Sequence, residues 1–448
     1  MKRTTSHLPR TPITAHIEKL SHDGRGIARI NGKITFIQNA LPGETITCQL
    51  LRKKRDYDEG MMLSVIEPSP DRVEPKCPHF ALCGGCSMQH LDGPSQIHEK
   101  QALLLDTLIK IGHVIPESVL PPLESSLWHY RNKARLSVRY VQKKQSVLVG
   151  FREKNKPSYI TDIQTCPVLN ARVDAQLLPL QKMLSSFETL DVIAQVELAA
   201  GDDEVALIFR NMAPLSLQDQ EKLKLFAKAS QFRIFLQPAG ADSVTLFFPE
   251  DGNSFLSYRI PEENISLQFH PTDFTQVNAE INRKMVPLAI QLLDLKPEDH
   301  VLDLFCGLGN FSLPLAKHCA NMVGVEGSQT MVLRAQRNAE LNGITNASFQ
   351  CLNLEEEGSL GRIKSQTFSK LLLDPPRMGA KAIVNDIHLL PLDRVVYVSC
   401  NPATLARDAD ILVHQKGFKL MSVRVMDMFP HTAHVESMAV FRRISAHG

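Results

Sequence analysis

The sequence has no hydrophobic run long enough to cross a membrane. No stretch of about 18 apolar residues occurs along its 448 positions, and the first residues, MKRTTSHLPRTP, lack the apolar segment of a secretory signal. Short-period repeats and low-complexity tracts are also missing. We therefore expect a cytoplasmic protein with no membrane partner, folded into two or three domains of ordinary size.

A large net charge is lacking too, since 50 Lys and Arg face 48 Asp and Glu. The charge is nevertheless unevenly distributed along the chain. Residues 1–55 hold eleven basic side chains against three acidic ones, and residues 128–156 hold nine against one. Two basic segments in an otherwise acidic chain favour a polyanionic partner, although solvated charged surfaces would give the same counts.

The pattern of strands and turns predicts three domains. Residues 1–70 alternate short β-type runs with turns, including the hairpin signal Asn31-Gly32, and predict a small β-barrel. Residues 71–265 mix strands and helices, which predicts an α+β domain. Residues 266–448 alternate strand, turn and helix, which predicts a doubly wound, Rossmann-like α/β domain whose ligands bind at the carboxyl edge of the sheet.

The segment VLDLFCGLGNFS indicates a nucleoside pocket. Gly307 and Gly309 follow a strand and let the backbone approach a ligand closely. Glu326 ends the next strand, nineteen residues after Gly307, where a carboxylate can accept hydrogen bonds from ribose hydroxyls. Ser312 stands where a dinucleotide fingerprint has a third Gly or Ala, so a pyrophosphate is not expected. The pattern resembles that of S-adenosylmethionine methyltransferases.

Two further motifs end neighbouring strands of the same predicted sheet. LLLDPPR carries Asp374, and Arg377 stands where methyltransferases of exocyclic amino groups have an aromatic residue. VVYVSCNPATLARD carries Cys400, with Asn401 and Pro402 suited to the N-cap and first position of a helix. Because helix amide groups favour a nearby thiolate, we expect Cys400 to be a nucleophile with a lowered pKa.

A thiolate at this place would have a clear use on a pyrimidine. Its attack on carbon 6 makes carbon 5 an enolate carbon that can accept a methyl group, and a base must then remove the hydrogen at carbon 5. Glu436 in FPHTAHVESM offers that base, with His431 and His434 as competitors. Cytosine methyltransferases of this chemistry carry a second cysteine in the aspartate motif, which LLLDPPRMG lacks, so uracil is favoured.

Six motifs in order resemble those of the RNA uracil-C5 methyltransferases: FTQVN, DLFCGLGNFS, VEG, LLLDPPR, VSCNP and HVESM. The resemblance covers nearly the whole chain. It implies S-adenosylmethionine as methyl donor, Cys400 as nucleophile and Glu436 as proton acceptor. It also implies a set of residues that contact the methyl donor: Gln276, Phe305, Asn310, Glu326, Asn353 and Asp374.

Four cysteines form C-x5-C-x2-C plus one distant member: Cys77, Cys83, Cys86 and Cys166. Four thiolates suit either zinc or an iron–sulfur cluster. Their arrangement resembles the [4Fe-4S] site of the ribosomal RNA branch of the family, and the N-terminal barrel resembles a TRAM domain, an RNA-binding module. The resemblance implies 23S ribosomal RNA or a precursor of the large subunit as partner. Apart from the resemblance, we expect no role for DNA and a monomeric chain.

The segment YRNKARLSVRY predicts how RNA is held. Its basic residues alternate with apolar ones, so a strand would direct one face to phosphates and the other to the core. Residues 52–55, RKKR, form a second basic cluster, and Trp128 and Tyr130 either stack on bases or pack in the core. Two other functions stay open: the same chemistry on transfer RNA, and a non-catalytic ribosome-assembly factor.

Overall fold

The computed structural model describes residues 11–363 and 367–444. The first ten residues, which belong to the predicted barrel and its basic segment, and the last four of the predicted third domain lie outside this description. Among the described residues, no helix is both long enough and apolar enough to span a bilayer.

The strands and helices are numbered in chain order. The strands are β1 (Ile13–His16), β2 (Lys19–Leu20), β3 (Gly26–Ile30), β4 (Lys33–Gln38), β5 (Thr45–Lys53), β6 (Tyr57–Glu67), β7 (Ser118–Val119), β8 (Lys133–Val141), β9 (Ser146–Gly150), β10 (Ile193–Ala200), β11 (Val205–Asn211), β12 (Arg233–Leu236), β13 (Thr245–Phe248), β14 (Leu256–Ile260), β15 (Ile265–Phe269), β16 (His300–Leu304), β17 (Asn321–Glu326), β18 (Ala347–Cys351), β19 (Lys370–Leu373), β20 (Arg394–Ser399), β21 (Phe418–Met426) and β22 (Glu436–Arg443). The α-helices are α1 (Gly93–Lys110), α2 (Ala171–Asp174), α3 (Leu177–Ser185), α4 (Leu217–Ser230), α5 (Ala279–Leu293), α6 (Ser312–Ala316), α7 (Gln329–Leu341), α8 (Lys381–Asp386) and α9 (Pro402–Gln415).

The N-terminal unit is a six-stranded sheet in the order β1-β5-β6-β4-β3-β2. Asn31 and Gly32 join β3 to β4 with φ values of 52° and 79°. Two consecutive positive φ angles are what a tight hairpin turn requires, so the sequence signal is confirmed. Ile17, Ile37 and Ile46 are fully buried and form its core.

The central unit is a six-stranded sheet in the order β13-β12-β11-β10-β8-β9, covered by α3 and α4. In β8, Ala134, Leu136 and Val138 are buried while Arg135 and Arg139 are exposed. The predicted two-residue alternation is therefore present, with the basic residues on the outer face.

The third unit is an eight-stranded sheet in the order β18-β17-β16-β19-β20-β22-β21-β7. Its first five strands are parallel, and β22 runs antiparallel to both of its neighbours. The predicted combination of an N-terminal barrel, a central α+β unit and a C-terminal Rossmann-like unit is confirmed.

Two separate parts of the chain contribute to the third unit. Strand β7 pairs with β21 at the edge of the large sheet, and α1 packs on α9 and β21. Ile97, Leu104 and Leu108 of α1 are buried in the same core cluster as the sheet. Residues within the range 71–265 thus complete the core of the C-terminal unit, and the domain boundaries themselves stay a prediction.

Candidate active site

The sequence-predicted site residues meet at one edge of the large sheet. In parallel strands the carboxyl ends share an edge, and strand order fixes the sequence of groups along it. From one side to the other these are Asn353 after β18, Glu326 at the end of β17, the turn from Phe305 to Asn310 after β16, Asp374 after β19 and Cys400 after β20. Glu436 begins the antiparallel β22 beside Cys400 and reaches the same edge.

The turn after β16 forms an open cradle. Phe305 and Gly307 have φ values of 66° and 55°, and a Cβ added at Gly307 would meet no atom within 4 Å. Glu326 borders this space, because its carboxylate accepts hydrogen bonds from the backbone N–H of Gly307 at 3.1 Å and of Ser328 at 3.0 Å. A carboxylate held in this way keeps lone pairs for the two hydroxyls of a ribose.

Asn310 is fixed by its neighbours below the cradle. Its Oδ1 accepts hydrogen bonds from the Tyr258 hydroxyl at 2.8 Å and from Nδ2 of Asn282 at 2.9 Å. Asn282 belongs to α5, and the partly buried Gln276 lies two residues before Asn278, the N-cap of that helix. Helix α5 therefore links two of the predicted ligand-binding residues.

Asn353 stands at the outer end of the edge. It is exposed in the turn that follows β18, where its Oδ1 accepts from the N–H of Glu355 and its Nδ2 donates to Glu356, both at 3.1 Å. The side chain stabilises the turn and occupies the strand end beside that of Glu326.

Two aspartates lie under the middle of the edge. Asp303 is fully buried; its Oδ2 accepts a hydrogen bond from the Ser312 hydroxyl at 2.5 Å, and its Oδ1 has no partner among the described residues. Burial raises its pKa to about 8. Burial also raises the pKa of Asp374 to about 7. A cation bound beside them would lower both pKa values, because it favours the charged carboxylates.

Cys400 lies between the end of β20 and the start of α9. Asn401 is the N-cap of α9, with its side chain accepting from the N–H of Ala403 at 3.1 Å, and Pro402 opens the helix as predicted. The expected lowering of the thiol pKa is wrong, however. Burial raises the pKa of Cys400 to about 11, and the nearby carboxyls of Glu436 and Asp374 add to this effect.

Glu436 is buried beside the cysteine. Burial raises the pKa of its carboxyl well above the usual value, the charge of Asp374 raises it further, and Arg377 lowers it. Of the competing bases, His431 is buried with Nδ1 3.1 Å from Nε2 of Gln96, and burial lowers its pKa to about 4. Glu436 is the candidate base whose charge acts on Cys400, since it raises the pKa of that thiol.

Arg377 is a site residue that the sequence analysis did not assign. The positive charge of its guanidinium lowers the pKa values of both Cys400 and Glu436, and its carbonyl accepts a hydrogen bond from Nδ2 of Asn401 at 3.0 Å. Arg377 follows the end of β19 in the motif LLLDPPR. Its position at the carboxyl edge of the sheet could therefore have identified it as a site residue from the sequence.

A cavity of about 1110 Å³ connects Cys400 with the four-cysteine region. Its lining includes Cys77, Cys83, Cys86 and Cys166, together with residues of the N-terminal barrel such as Lys19 and Phe36. All three structural units therefore border one opening, which is large enough for a nucleobase and its flanking groups.

The comparisons with known proteins agree with this geometry. The sequence profile of the tRNA (Uracil-5-)-methyltransferase family matches residues 94–444, and that of the TRAM domain matches residues 9–63. The chain belongs to the tRNA (Uracil-5-)-methyltransferase family. The prediction of an RNA uracil-C5 methyltransferase is confirmed, and S-adenosylmethionine is its methyl donor.

Relatives extend over the whole chain. A protein of Legionella pneumophila (strain Lens) named 23S rRNA (uracil(1939)-C(5))-methyltransferase RlmD is 57% identical, with 99% of this chain and 100% of the relative aligned. A protein of the same name from Xanthomonas campestris pv. campestris (strain 8004) is 47% identical over the same shares. The crystal structure of Pyrococcus abyssi tRNA (uracil-54, C5)-methyltransferase with S-adenosyl-L-homocysteine has the same fold, with a TM-score of 0.74 and 23% identity over 96% of this chain and 100% of that one.

The four cysteines of this family member converge without forming a finished metal site. Among residues 11–363 and 367–444, no three His, Cys, Asp or Glu side chains are already spaced to hold a metal ion. The thiols nevertheless affect one another: burial first, and then the charges of Cys83 and Cys77, raise the pKa of Cys86 to about 11. The side chain of Gln89 opposes this rise, and its buried Nε2 has no hydrogen-bond partner among these residues.

The predicted RNA-stacking side chains pack against the protein itself, with Tyr130 buried and Trp128 partly buried. Trp128 stacks on His431 with ring centroids 4.0 Å apart, and the hydroxyl of the buried Tyr130 donates to the carbonyl of Pro430 at 2.9 Å. The core alternative is therefore the one that the structure has for both residues.

Proposed function

We propose that this chain methylates carbon 5 of one uridine in 23S ribosomal RNA through a covalent bond between Cys400 and carbon 6. The observation that carries the proposal is the order along the sheet edge. Glu326 and the glycine cradle lie on one side, Cys400 and Glu436 on the other, and Asp374 between them. This order brings a methyl donor and a nucleophile together across one pyrimidine ring.

Cys400 is the nucleophile of this reaction. Its sulfur adds to carbon 6 of the uracil, and the electrons of the double bond form an enolate whose carbon 5 takes the methyl group. The thiol must first lose its proton to solvent, and the positive charge of Arg377 favours this loss. S-adenosylmethionine supplies the methyl group and, through its positive sulfonium, a charge that favours ionised neighbours.

Glu436 completes the reaction. Its carboxylate removes the proton from the methylated carbon 5, the electrons of that bond restore the double bond to carbon 6, and the sulfur of Cys400 leaves as a thiolate. Burial gives Glu436 a raised pKa, which makes it a stronger base once it is ionised. Gln276, Phe305, Asn310, Glu326, Asn353 and Asp374 bind the methyl donor.

The proposed substrate is the uridine named 1939 in the relatives, in 23S RNA or a precursor of the large subunit. Support comes from the two relatives that align over their full lengths. The exposed Arg135 and Arg139 on β8, and the exposed residues 52–55 of the barrel, supply charge for phosphates. The target base must leave its stack, which costs a few kcal/mol, so unpaired or remodelled RNA in the cytoplasm is the substrate of a monomeric enzyme.

The four cysteines are proposed to hold a [4Fe-4S] cluster. The fit rests on the shared cavity, on the unpartnered Nε2 of Gln89 and on the backbone N–H of Gly85, which donates to Sγ of Cys83 at 3.4 Å. Cys77, Cys83, Cys86 and Cys166 would ligate the irons, and the cluster would supply structural cross-links within the cavity wall. Zinc on the same thiolates is the alternative.

RNA containing 5-fluorouridine tests the mechanism. Fluorine cannot leave as a proton, so the adduct should persist as a protein–RNA species that resists denaturation. We expect this species with the wild-type protein and its absence with Cys400→Ala. An adduct that forms equally in Cys400→Ala contradicts the role of this residue.

Methyl transfer to purified RNA tests the substrate. We expect labelling of a 23S fragment spanning the proposed uridine and none when that uridine is replaced by cytidine. Labelling of transfer RNA alone would overturn the substrate. Binding to the 23S fragment with no methyl transfer would instead support an assembly factor.

A further inference from the structure

In the segment that leads to Glu436, the hydrogen bonds between the segment's own residues are all short-range turn contacts. This segment, residues 427–435, joins β21 to β22 and is called the base loop. Within it, the N–H of Thr432 donates to the carbonyl of Phe429 at 3.3 Å, and His431 has a φ of 64°. Such turn contacts shape a loop locally but do not fix where it lies, so its surroundings must do so.

A buried ion pair holds the start of the base loop. Nζ of Lys100 on α1 lies 2.7 Å from Oδ1 of Asp427 and donates to the carbonyl of Phe429 at 3.0 Å. The two charged side chains are only 2% and 3% exposed. A lysine this deeply buried is costly unless its charge is paired, so the pair constrains the loop strongly.

Gln96, one turn earlier on α1, holds the middle of the loop. Its Oε1 accepts a hydrogen bond from the N–H of His431 at 2.7 Å, and its Nε2 lies 2.7 Å from the carbonyl of Leu91 and 3.1 Å from that of Met88. The side chain has no exposed surface. The hydrogen bonds of its amide therefore link α1 to the segment after Cys86 and to the base loop.

Two further contacts hold His431 in the middle of the loop. Trp128 stacks on the ring of His431, and the N–H of Ser87 donates to the carbonyl of His431 at 2.9 Å. Cys400 lies outside the base loop, at the start of α9, where Asn401 caps the helix and donates to the carbonyl of Arg377. The loop reaches this region through His434, whose Nδ1 lies 3.3 Å from Nη2 of Arg377, and it leads directly into Glu436. A displacement of the base loop would therefore act first on the position of Glu436.

We propose that Gln96 and Lys100 are positioning residues that hold the base loop so that the carboxylate of Glu436 meets the hydrogen on carbon 5 of the adduct. This inference rests on the proposed function. It assigns the two side chains to one step, the proton removal that frees Cys400, and leaves the addition of sulfur and the methyl transfer to other residues.

The test compares Lys100→Met with Lys110→Met. Lys110 lies on the same helix and pairs with Asp106 at 2.7 Å, but its side chain is 60% exposed, so it is a matched control. The full-length protein is mixed with RNA containing ordinary uridine and with radiolabelled S-adenosylmethionine. Turnover, affinity for the methyl donor and the amount of denaturation-resistant, methylated protein–RNA adduct are then measured.

For Lys100→Met we expect turnover to fall about 100-fold, the loss typical of a catalytic group displaced by about 1 Å. The methylated adduct should accumulate, because only its breakdown is slowed. Affinity for the methyl donor and formation of the 5-fluorouridine adduct should stay within about twofold of the wild type, and Lys110→Met should match the wild type throughout. A merely structural role would lower all of these quantities together.

Two further variants keep the inference testable if Lys100→Met alone fails to fold. Lys100→Met combined with Asp427→Leu removes both charges and keeps the volume apolar, and Gln96→Met removes the amide alone. Each should accumulate the same methylated adduct. The inference is overturned if turnover is unchanged, or if adduct and turnover fall in proportion. It is also overturned if all three variants fail to fold. If the wild type forms no adduct on Cys400 with 5-fluorouridine, the proposed function fails instead.

Discussion

Cys400 and Glu436 lie next to each other at the ends of two neighbouring antiparallel strands. Cys400 follows Ser399, the last residue of β20, and Glu436 precedes Ser437 on β22, while Ser399 and Ser437 lie directly opposite each other. The thiol and the carboxyl are therefore held by one strand pair, and the charge of Glu436 contributes to the raised pKa of Cys400.

This pairing predicts slow alkylation of the free enzyme. With a pKa of about 11, Cys400 should be about 0.1% thiolate at pH 8. Iodoacetamide labelling, followed by mass spectrometry, should therefore be slow at Cys400 and rise steadily from pH 8 to 10. Glu436→Gln should speed it, because the carboxylate that raises the thiol pKa is gone.

The exposed Cys351 serves as the internal reference for that measurement. Labelling of Cys400 at pH 8 as fast as that of Cys351, or a rate unchanged by Glu436→Gln, would contradict the influence of burial and of the carboxyl on the thiol.

Asp303 predicts a pH dependence of stability. Its folded pKa of about 8 lies above its unfolded value, so the folded state binds the extra proton between about pH 4 and 8. Its contribution to the free energy of unfolding is fully present below that range and is lost as the pH rises through it. The melting temperature of the ligand-free protein should therefore fall from pH 6 to 8.

Asp303→Asn keeps an oxygen to accept from the Ser312 hydroxyl and carries no ionisable proton. We expect a flatter melting temperature against pH for this variant. An equally steep profile in both proteins would assign the pH dependence to other groups.

The outer face of β8 predicts a salt-dependent RNA contact. Arg135→Ala should weaken binding to the 23S fragment and reduce the slope of log affinity against log salt by about 1, while affinity for the methyl donor stays unchanged. Fluorescence anisotropy at several salt concentrations measures the slope.

Lys296→Ala is the matched control for Arg135→Ala. Lys296 lies just before β16, at the amino edge of the large sheet and away from the cavity, where it pairs with Asp294 at 3.2 Å. We expect it to bind RNA as the wild type does. Equal slopes for all three proteins would show that Arg135 contacts no phosphate.

The cysteine site predicts about four irons per chain after anaerobic purification, with a brown colour. Cys86→Ser should lose the iron, whereas Cys351→Ser, which changes an exposed thiol outside this region, should keep it. Iron content and the visible absorption spectrum decide the matter. One zinc per chain without iron would replace the cluster by a zinc site.

Local sequence patterns were sufficient for several structural features. The Asn31-Gly32 turn, the Asn401 cap and the alternation in β8 depend on residues close together in the chain, and the structure has all three. The alignment of motifs at strand ends followed from the rule for parallel sheets, which put Cys400 and Asp374 on one edge.

Features that depend on distant residues were not predictable in this way. Lys100 and Asp427 are 327 positions apart, and neither stands in a recognisable motif. The raised pKa of Cys400 likewise depends on burial and on Glu436, whereas the sequence shows only the helix that begins beside it. The sequence shows the start of the helix, which favours the thiolate. Burial and the charge of Glu436, which disfavour it more strongly, arise only from tertiary packing.

Because α1 and β7 belong to the C-terminal unit, the catalytic half of this enzyme cannot be transferred to a fusion protein as one continuous C-terminal segment. Because α1 and β7 fill the outer side of β21, a gene fusion that transplants only residues 266–444 onto another targeting module would leave Leu420 and Val423 without their cover. Swapping RNA specificity by cassette exchange must therefore carry residues 93–119 along with the catalytic half.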